Sequence, residues 1–148
     1  MPVFKNILVP IDFGEPSAHA LEVGIDFAKE SGAKLTLVHV WEVPAYAYTA
    51  VSASAVDLLT PIQEAAESQL ATTLAEVRKQ VPQAESILRQ GSSWREILAM
   101  IEEKKPDLVI MGTHGRRGVE RAFLGSVAEK IVRTSPAAVL TVRGKNDR

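Results

Sequence analysis

At 148 residues, 46% hydrophobic and 24% charged, the chain is long enough for one domain with a sizeable core and too apolar to be disordered. Its formal net charge of −1, without a run of about five or more like charges, excludes the basic footprint of a nucleic-acid binder and the polybasic tail of a membrane-surface protein. Cysteine is absent, which excludes disulfides and thiolate chemistry and fits a reducing, cytoplasmic setting.

The first ten residues lack the apolar centre of a secretory leader, and "FKNILVP" (4–10) reads as a buried strand ended by proline. From Ser17 to Ser31 the apolar positions Ala18, Leu21, Ile25 and Ala28 predict a helix, stopped by Gly32. "KLTLVHVW" (34–41) is a second strand, and 42–55, with "AYAYTAVSASA", is a connection. Leu59, Ala66, Leu70, Leu74 and Val77 carry a long helix that is over by Pro82. "AESILRQG" (84–91) is a third strand, followed by a helix on Trp94, Ile97, Leu98 and Ile101 that ends before Pro106. "DLVIMG" (107–112) is the fourth strand, Val127, Ile131 and Val132 carry the last helix, and "AAVLTVRG" (137–144) is the fifth strand. No segment approaches the roughly eighteen apolar residues of a membrane span.

Apolar strands separated by helices predict a single α/β domain, residues 1–148, with an open five-stranded parallel sheet and helices on both faces. Such sheets bind ligands beyond the carboxyl ends of their strands. Two loops there are chemically unusual: "PIDFGEPS" after strand one and "GTHGRRG" after strand four. Gly112 and Gly115 bracket two residues at a strand's end, and Gly125 and Ser126 open the next helix, so backbone amides and a helix N-terminus can receive an anion. The alternative is a plain turn with Ser126 as an N-cap. A P-loop requires G-x-x-x-x-G-K-[ST] and a dinucleotide site G-x-G-x-x-G after strand one, and neither is present. A phosphate-receiving domain wants an aspartate ending strand three, where the sequence has Arg89-Gln90-Gly91. The three histidines have no ligand-like spacing, His39 reads as structural, and no pair of carboxylates suits a two-metal hydrolase, so no catalytic or metal residue is assigned.

The spacing Gly112-x2-Gly115-x9-Gly125-Ser126 resembles the G-x2-G-x9-G-[S/T] nucleotide pattern of the universal stress protein family. The likeness extends over "NILVPIDF", "LVHV", "DLVIMGTHGRRG", "LGSVAEKIVR" and "AAVLTVRG", nearly the whole chain. It implies the family's ATP-binding class, a sheet order of 3-2-1-4-5, and the two unusual loops side by side. It further implies that Pro10, Ile11 and Asp12 meet the base and ribose, with Val40 against adenine and Met111 in the same pocket. Gly112, His114 and Gly115 would line the ribose–phosphate side, and Gly125, Ser126 and Val127 would hold the phosphates. Arg116, within the x9 segment, would pair with a phosphate. Any Mg²⁺ would arrive with the nucleotide. A homodimer through strand five (137–143) is expected, because "AVLTV" is an apolar edge strand. Function is then a nucleotide-dependent regulatory or stress-response module, with a slow ATPase or nucleotidyl-transfer enzyme as the alternative.

Overall fold

A computed structural model describes residues 4–48, 57–114 and 125–145. Five strands, β1 (Asn6–Pro10), β2 (Lys34–Trp41), β3 (Glu85–Gln90), β4 (Leu108–Gly112) and β5 (Ala138–Val142), pair in parallel in the order β3-β2-β1-β4-β5. β1 and β4 are therefore neighbours, with Ile7 opposite Leu108 and Leu8 opposite Val109. Among the described residues the connections hold α1 (Glu15–Ser31), α2 (Leu59–Arg78), α3 (Ser93–Lys104) and α4 (Ser126–Thr134), and one helical turn at 45–48.

Alternation along the strands sorts the core into two layers. Ile7, Val9, Leu35, Leu37 and Ile110 pack under α1 and α2, whereas Leu8, Val38, Val109 and Met111 pack under α3 and α4. Burying each such side chain stabilises the fold by about 1.5–3 kcal/mol, more than any surface contact supplies. The chain leaves β1 for one face and β4 for the other. That divergence opens a crevice at the carboxyl ends of these two strands.

The helix ends follow local chemistry. α1 starts at Glu15, two residues before the Ser17 expected from the apolar spacing, because Pro16 lies in its first turn, where its missing N–H is not needed. Gly32 closes the helix in the left-handed region (φ 73°), its N–H donating to the Ala28 carbonyl at 2.9 Å. At the start of α2, Asp57 accepts bonds from the Thr60 hydroxyl and from the Thr60 and Leu59 amides. Those bonds, the hydroxyl's first, hold its carboxyl below the usual range.

Candidate functional site

The loop after β1 is built around Asp12. Its Oδ1 accepts the Gly14 N–H at 2.8 Å, while its own N–H donates to the hydroxyl of buried Ser17 at 3.0 Å. Between them Phe13 stands in the left-handed region (φ 65°), a conformation that costs about 1–3 kcal/mol and persists only where the surroundings impose it. Here the imposing partner is His39, whose ring lies 4.5 Å from that of Phe13. The His39 Nδ1 donates to the Ile11 carbonyl at 2.7 Å; a carbonyl only accepts, so that nitrogen carries the proton. His39 is thus the structural residue expected from its place in β2, and it fixes the loop that aims Asp12.

The loop after β4 is fixed at both ends. Thr113 donates its N–H to the Val142 carbonyl at 2.9 Å and accepts the Gly125 N–H at 2.6 Å. The exit of β4 and the entrance of α4 are thereby tied together, with residues 115–124 spanning between them. Gly115 and Arg116 lie outside the described residues. Gly125, extended at φ −65° and ψ 161°, is the N-cap of α4, so Ser126 is the first helical residue and not the cap that its residue type suggests. The first-turn amides of α4 have no intrahelical acceptor and the helix end carries partial positive charge, which together favour an anion.

Between these two loops lies a recess of about 100 Å³. Of the residues named from sequence, Pro10, Ile11, Asp12, Val40, Met111, Gly112, His114 and Val127 line it; Gly125 and Ser126 stand beside it at the start of α4. Its volume is below the roughly 300–1,000 Å³ of a complete small-molecule site, so the described walls suit one planar ring more than a whole nucleotide. Val40, Met111 and Ile97 give it apolar sides, and Asp12 is the one carboxylate among its described lining residues. His114 is buried within it, its Nδ1 3.1 Å from the Thr113 hydroxyl.

Sequence reasoning missed four lining residues: Ser17, Ser93, Ile97 and Ala128. Ser93 had a signal, since "GSSW" follows a strand's carboxyl end where a helix begins. Its N–H and hydroxyl both donate to Glu42, at 3.4 and 3.0 Å, so a carboxylate from the end of β2 covers the start of α3. Ile97 and Ala128 belong to helix stripes and give no sign of facing a ligand.

Gly112 carries a second duty. A Cβ there would lie 2.9 Å from the Pro16 carbonyl carbon, 3.0 Å from the Pro16 Cβ and 3.0 Å from the Ser17 N. The missing side chain makes room for the first turn of α1, in addition to any clearance for a ligand.

A larger hollow, of about 680 Å³, lies at the opposite end of the sheet beside Gly32 and Val81. Four of its polar side chains already pair, Lys29 with Gln80 at 3.3 Å and Lys34 with Glu85 at 3.2 Å, and it adjoins the amino ends of the strands.

Comparison with known proteins agrees with this geometry. The profile of the "Universal stress protein family" matches residues 4–143. A universal stress protein of Thermus aquaticus is 35% identical over 148 residues, covering 95% of this chain and 100% of that protein. Universal stress protein MJ0531 of Methanocaldococcus jannaschii is 30% identical over 145 residues, covering 95% and 83%. Among solved structures, UspA from Lactobacillus plantarum superposes with a TM-score of 0.80 at 21% identity, covering 94% and 97%. A universal stress protein in complex with cAMP (20% identical, covering 96% and 98%) and Arabidopsis thaliana At3g01520 with AMP bound (15%, covering 97% and 94%) each superpose with a TM-score of 0.68. At these identities the solved structures share the fold.

Proposed function

Because the chain belongs to the universal stress protein family, we propose that its cleft binds ATP and that occupancy switches a cytoplasmic, stress-responsive regulatory protein. The observation that carries this reading is the bond from Gly125 N–H to the Thr113 carbonyl, which brings both ends of the glycine motif to the recess together with the N-terminus of α4. Structural neighbours with cAMP and with AMP bound support an adenine nucleotide as the ligand class. In this reading Val40, Met111, Pro10 and Ile11 receive the base, and Asp12 accepts from the ribose with the oxygen that Gly14 leaves open. Gly112, His114 and Gly115 border the ribose and first phosphate. Gly125, Ser126 and Val127 take the remaining phosphates, Arg116 pairs with one of them, and Mg²⁺ comes with the nucleotide.

Binding is favoured over turnover because, among the described residues, the recess offers one carboxylate, half engaged, and no second carboxylate to pair with it. Several charge-assisted bonds, less the ordering cost, leave about −8 kcal/mol, an affinity of roughly 1 μM. Mass spectrometry of the ligand released on denaturation, with calorimetric titration of ATP, tests the reading. No released adenine nucleotide together with no heat at millimolar ATP would overturn it. Steady phosphate release dependent on Mg²⁺ would move the protein into the class of slow ATPases.

The same proposal includes a homodimer through β5. Among the described residues neither β3 nor β5 has an outer neighbour in the sheet, but the two edges differ in chemistry. On β3 the edge is charged, with Glu85 paired to Lys34 at 3.2 Å and Arg89 to Glu103 at 2.6 Å and to Glu96 at 3.6 Å. On β5 it is "AVLTV", half-buried from Val139 to Val142 and without a charge. An uncharged apolar edge invites pairing with its symmetry mate.

A further inference from the structure

We propose that Arg95 and Lys130, both drawn over the Trp94 indole beside the cleft, form a cationic clamp for the terminal phosphates of a bound nucleotide and make the site prefer triphosphate over monophosphate. This rests on the nucleotide reading above. Trp94 follows Ser93, a lining residue, in the first turn of α3; Lys130 lies one turn beyond Val127 and Ala128, lining residues of α4. The Lys130 Nζ is 4.7 Å from the indole centroid, and the Arg95 guanidinium carbon 5.2 Å. Long helical side chains lean toward their helix's N-terminus, so Lys130 reaches back toward the phosphate end of the cleft.

Charge balance points the same way. Arg89 pairs with Glu96 and Glu103, and Arg133 with Glu129 at 2.5 Å. Among the described residues neither Arg95 nor Lys130 lies within 4.0 Å of a carboxylate oxygen. Arg95 stands in the first turn of α3, where the partial positive charge of the backbone favours acids and disfavours cations. That local rule broken at Arg95, with an aromatic face holding both cations in place, marks a site that awaits an anion. A triphosphate reaches such a clamp beyond the first turn of α4; a monophosphate stops at it.

The test uses the full chain with Arg95→Gln, Lys130→Gln and the double variant, each checked by its melting curve, which should stay at the wild-type value because both side chains are exposed. ATP and AMP affinities are measured by calorimetry. The emission of Trp94 is followed by difference against Trp94→Phe, which removes the contribution of Trp41. Expected is a loss of about tenfold in ATP affinity for the double variant with AMP changed less than twofold, and a Trp94 response to ATP in the wild type that the double variant lacks. An unchanged ATP-to-AMP ratio, or a parallel loss of both, overturns the clamp. If the wild type binds no nucleotide, sodium tripolyphosphate decides. A Trp94 response that requires Lys130 and Arg95 keeps the clamp and fells the nucleotide reading, and no response fells both.

Discussion

Replacing Gly112 by alanine tests how the end of β4 shapes the cleft. The added Cβ falls 2.9 Å from the Pro16 carbonyl carbon and 3.0 Å from the Ser17 N, atoms of the helix backbone that no rotamer change can move aside. Either β4 recedes or the first turn of α1 lifts by several tenths of an ångström. Overpacking of this kind costs about 1–3 kcal/mol, a fall of roughly 2–12 °C in Tm for a chain of this size. A second consequence is specific to the site. Ser17 moves with that turn, and its hydroxyl accepts the Asp12 N–H at 3.0 Å, so Asp12 loses its aim. One misdirected charge-assisted bond lowers ATP affinity by about tenfold. Gly24→Ala is the control, because its Cβ would meet the Val9 Cγ2 at 2.8 Å in the core under α1, further along the helix. It should lower Tm by a similar amount and leave ATP affinity within twofold. Calorimetric melting and ATP titration of both variants give the answer. Gly112→Ala melting like the wild type would refute the close-packing reasoning, and equal ATP affinity in the two variants would refute the link from Gly112 to Asp12.

Light scattering at micromolar concentration should return twice the 16.1 kDa chain mass, and a monomer mass would count against pairing through β5. Gly115→Val should weaken ATP by about a hundredfold, two charge-assisted bonds, whereas Gly118→Val, outside the motif, should change it little; equal affinities would mean the glycine spacing is not a ligand motif. Arg89 holds the Glu103 carboxyl below its usual range, first through their hydrogen bond and then through its charge. A depressed folded pKa gives stability that is present above the unfolded pKa and lost as pH falls through the folded one. Urea unfolding should therefore separate wild type from Arg89→Met at neutral pH and bring the two together as pH falls through the depressed Glu103 pKa, and a gap that persists in acid below it would disprove the assignment.

The strands and helices were legible because each depends on neighbours in the chain. Ile7, Val9, Leu35 and Leu37 announce buried strands by composition, and Leu70 and Val77 announce a helix face by spacing. Strand order is different in kind. Nothing in "NILVP" or "DLVIM" says that β1 lies against β4, and here the family likeness carried what periodicity could not. Within the site, residues on the loops after β1 and β4 were legible because glycine and aspartate beyond a strand are unusual. Ser17 was not, since the fold brings it to the recess from a helix start where serine is ordinary. Gly112 was visible as a special residue, but its nearest obstacle is Pro16, ninety-six positions earlier, and only the tertiary structure reveals that contact. Ser126 looked like a cap because serine caps helices; the backbone gave that place to Gly125.

The two proposed functions of the carboxyl end of the sheet meet at Thr113. Its N–H is held by Val142, the last residue of the β5 edge, and its carbonyl holds Gly125 at the start of the helix assigned to the phosphates. Gly125 in turn accepts the Glu129 N–H at 2.9 Å, so a displacement of the first turn of α4 passes through three backbone bonds to the end of β5. If nucleotide and symmetry mate each shift that path, thermodynamic reciprocity requires that ATP change the dimer's dissociation constant by the factor by which dimerisation changes ATP affinity. A coupling of about 1–3 kcal/mol, ordinary for such linkage, is a change of roughly 5- to 150-fold. Sedimentation across a dilution series with and without ATP measures one side of the cycle, and ATP titration above and below the dimer's midpoint measures the other. Unequal factors would mean a third state; two factors of one would mean that Thr113 ties the ends of the loop and transmits nothing.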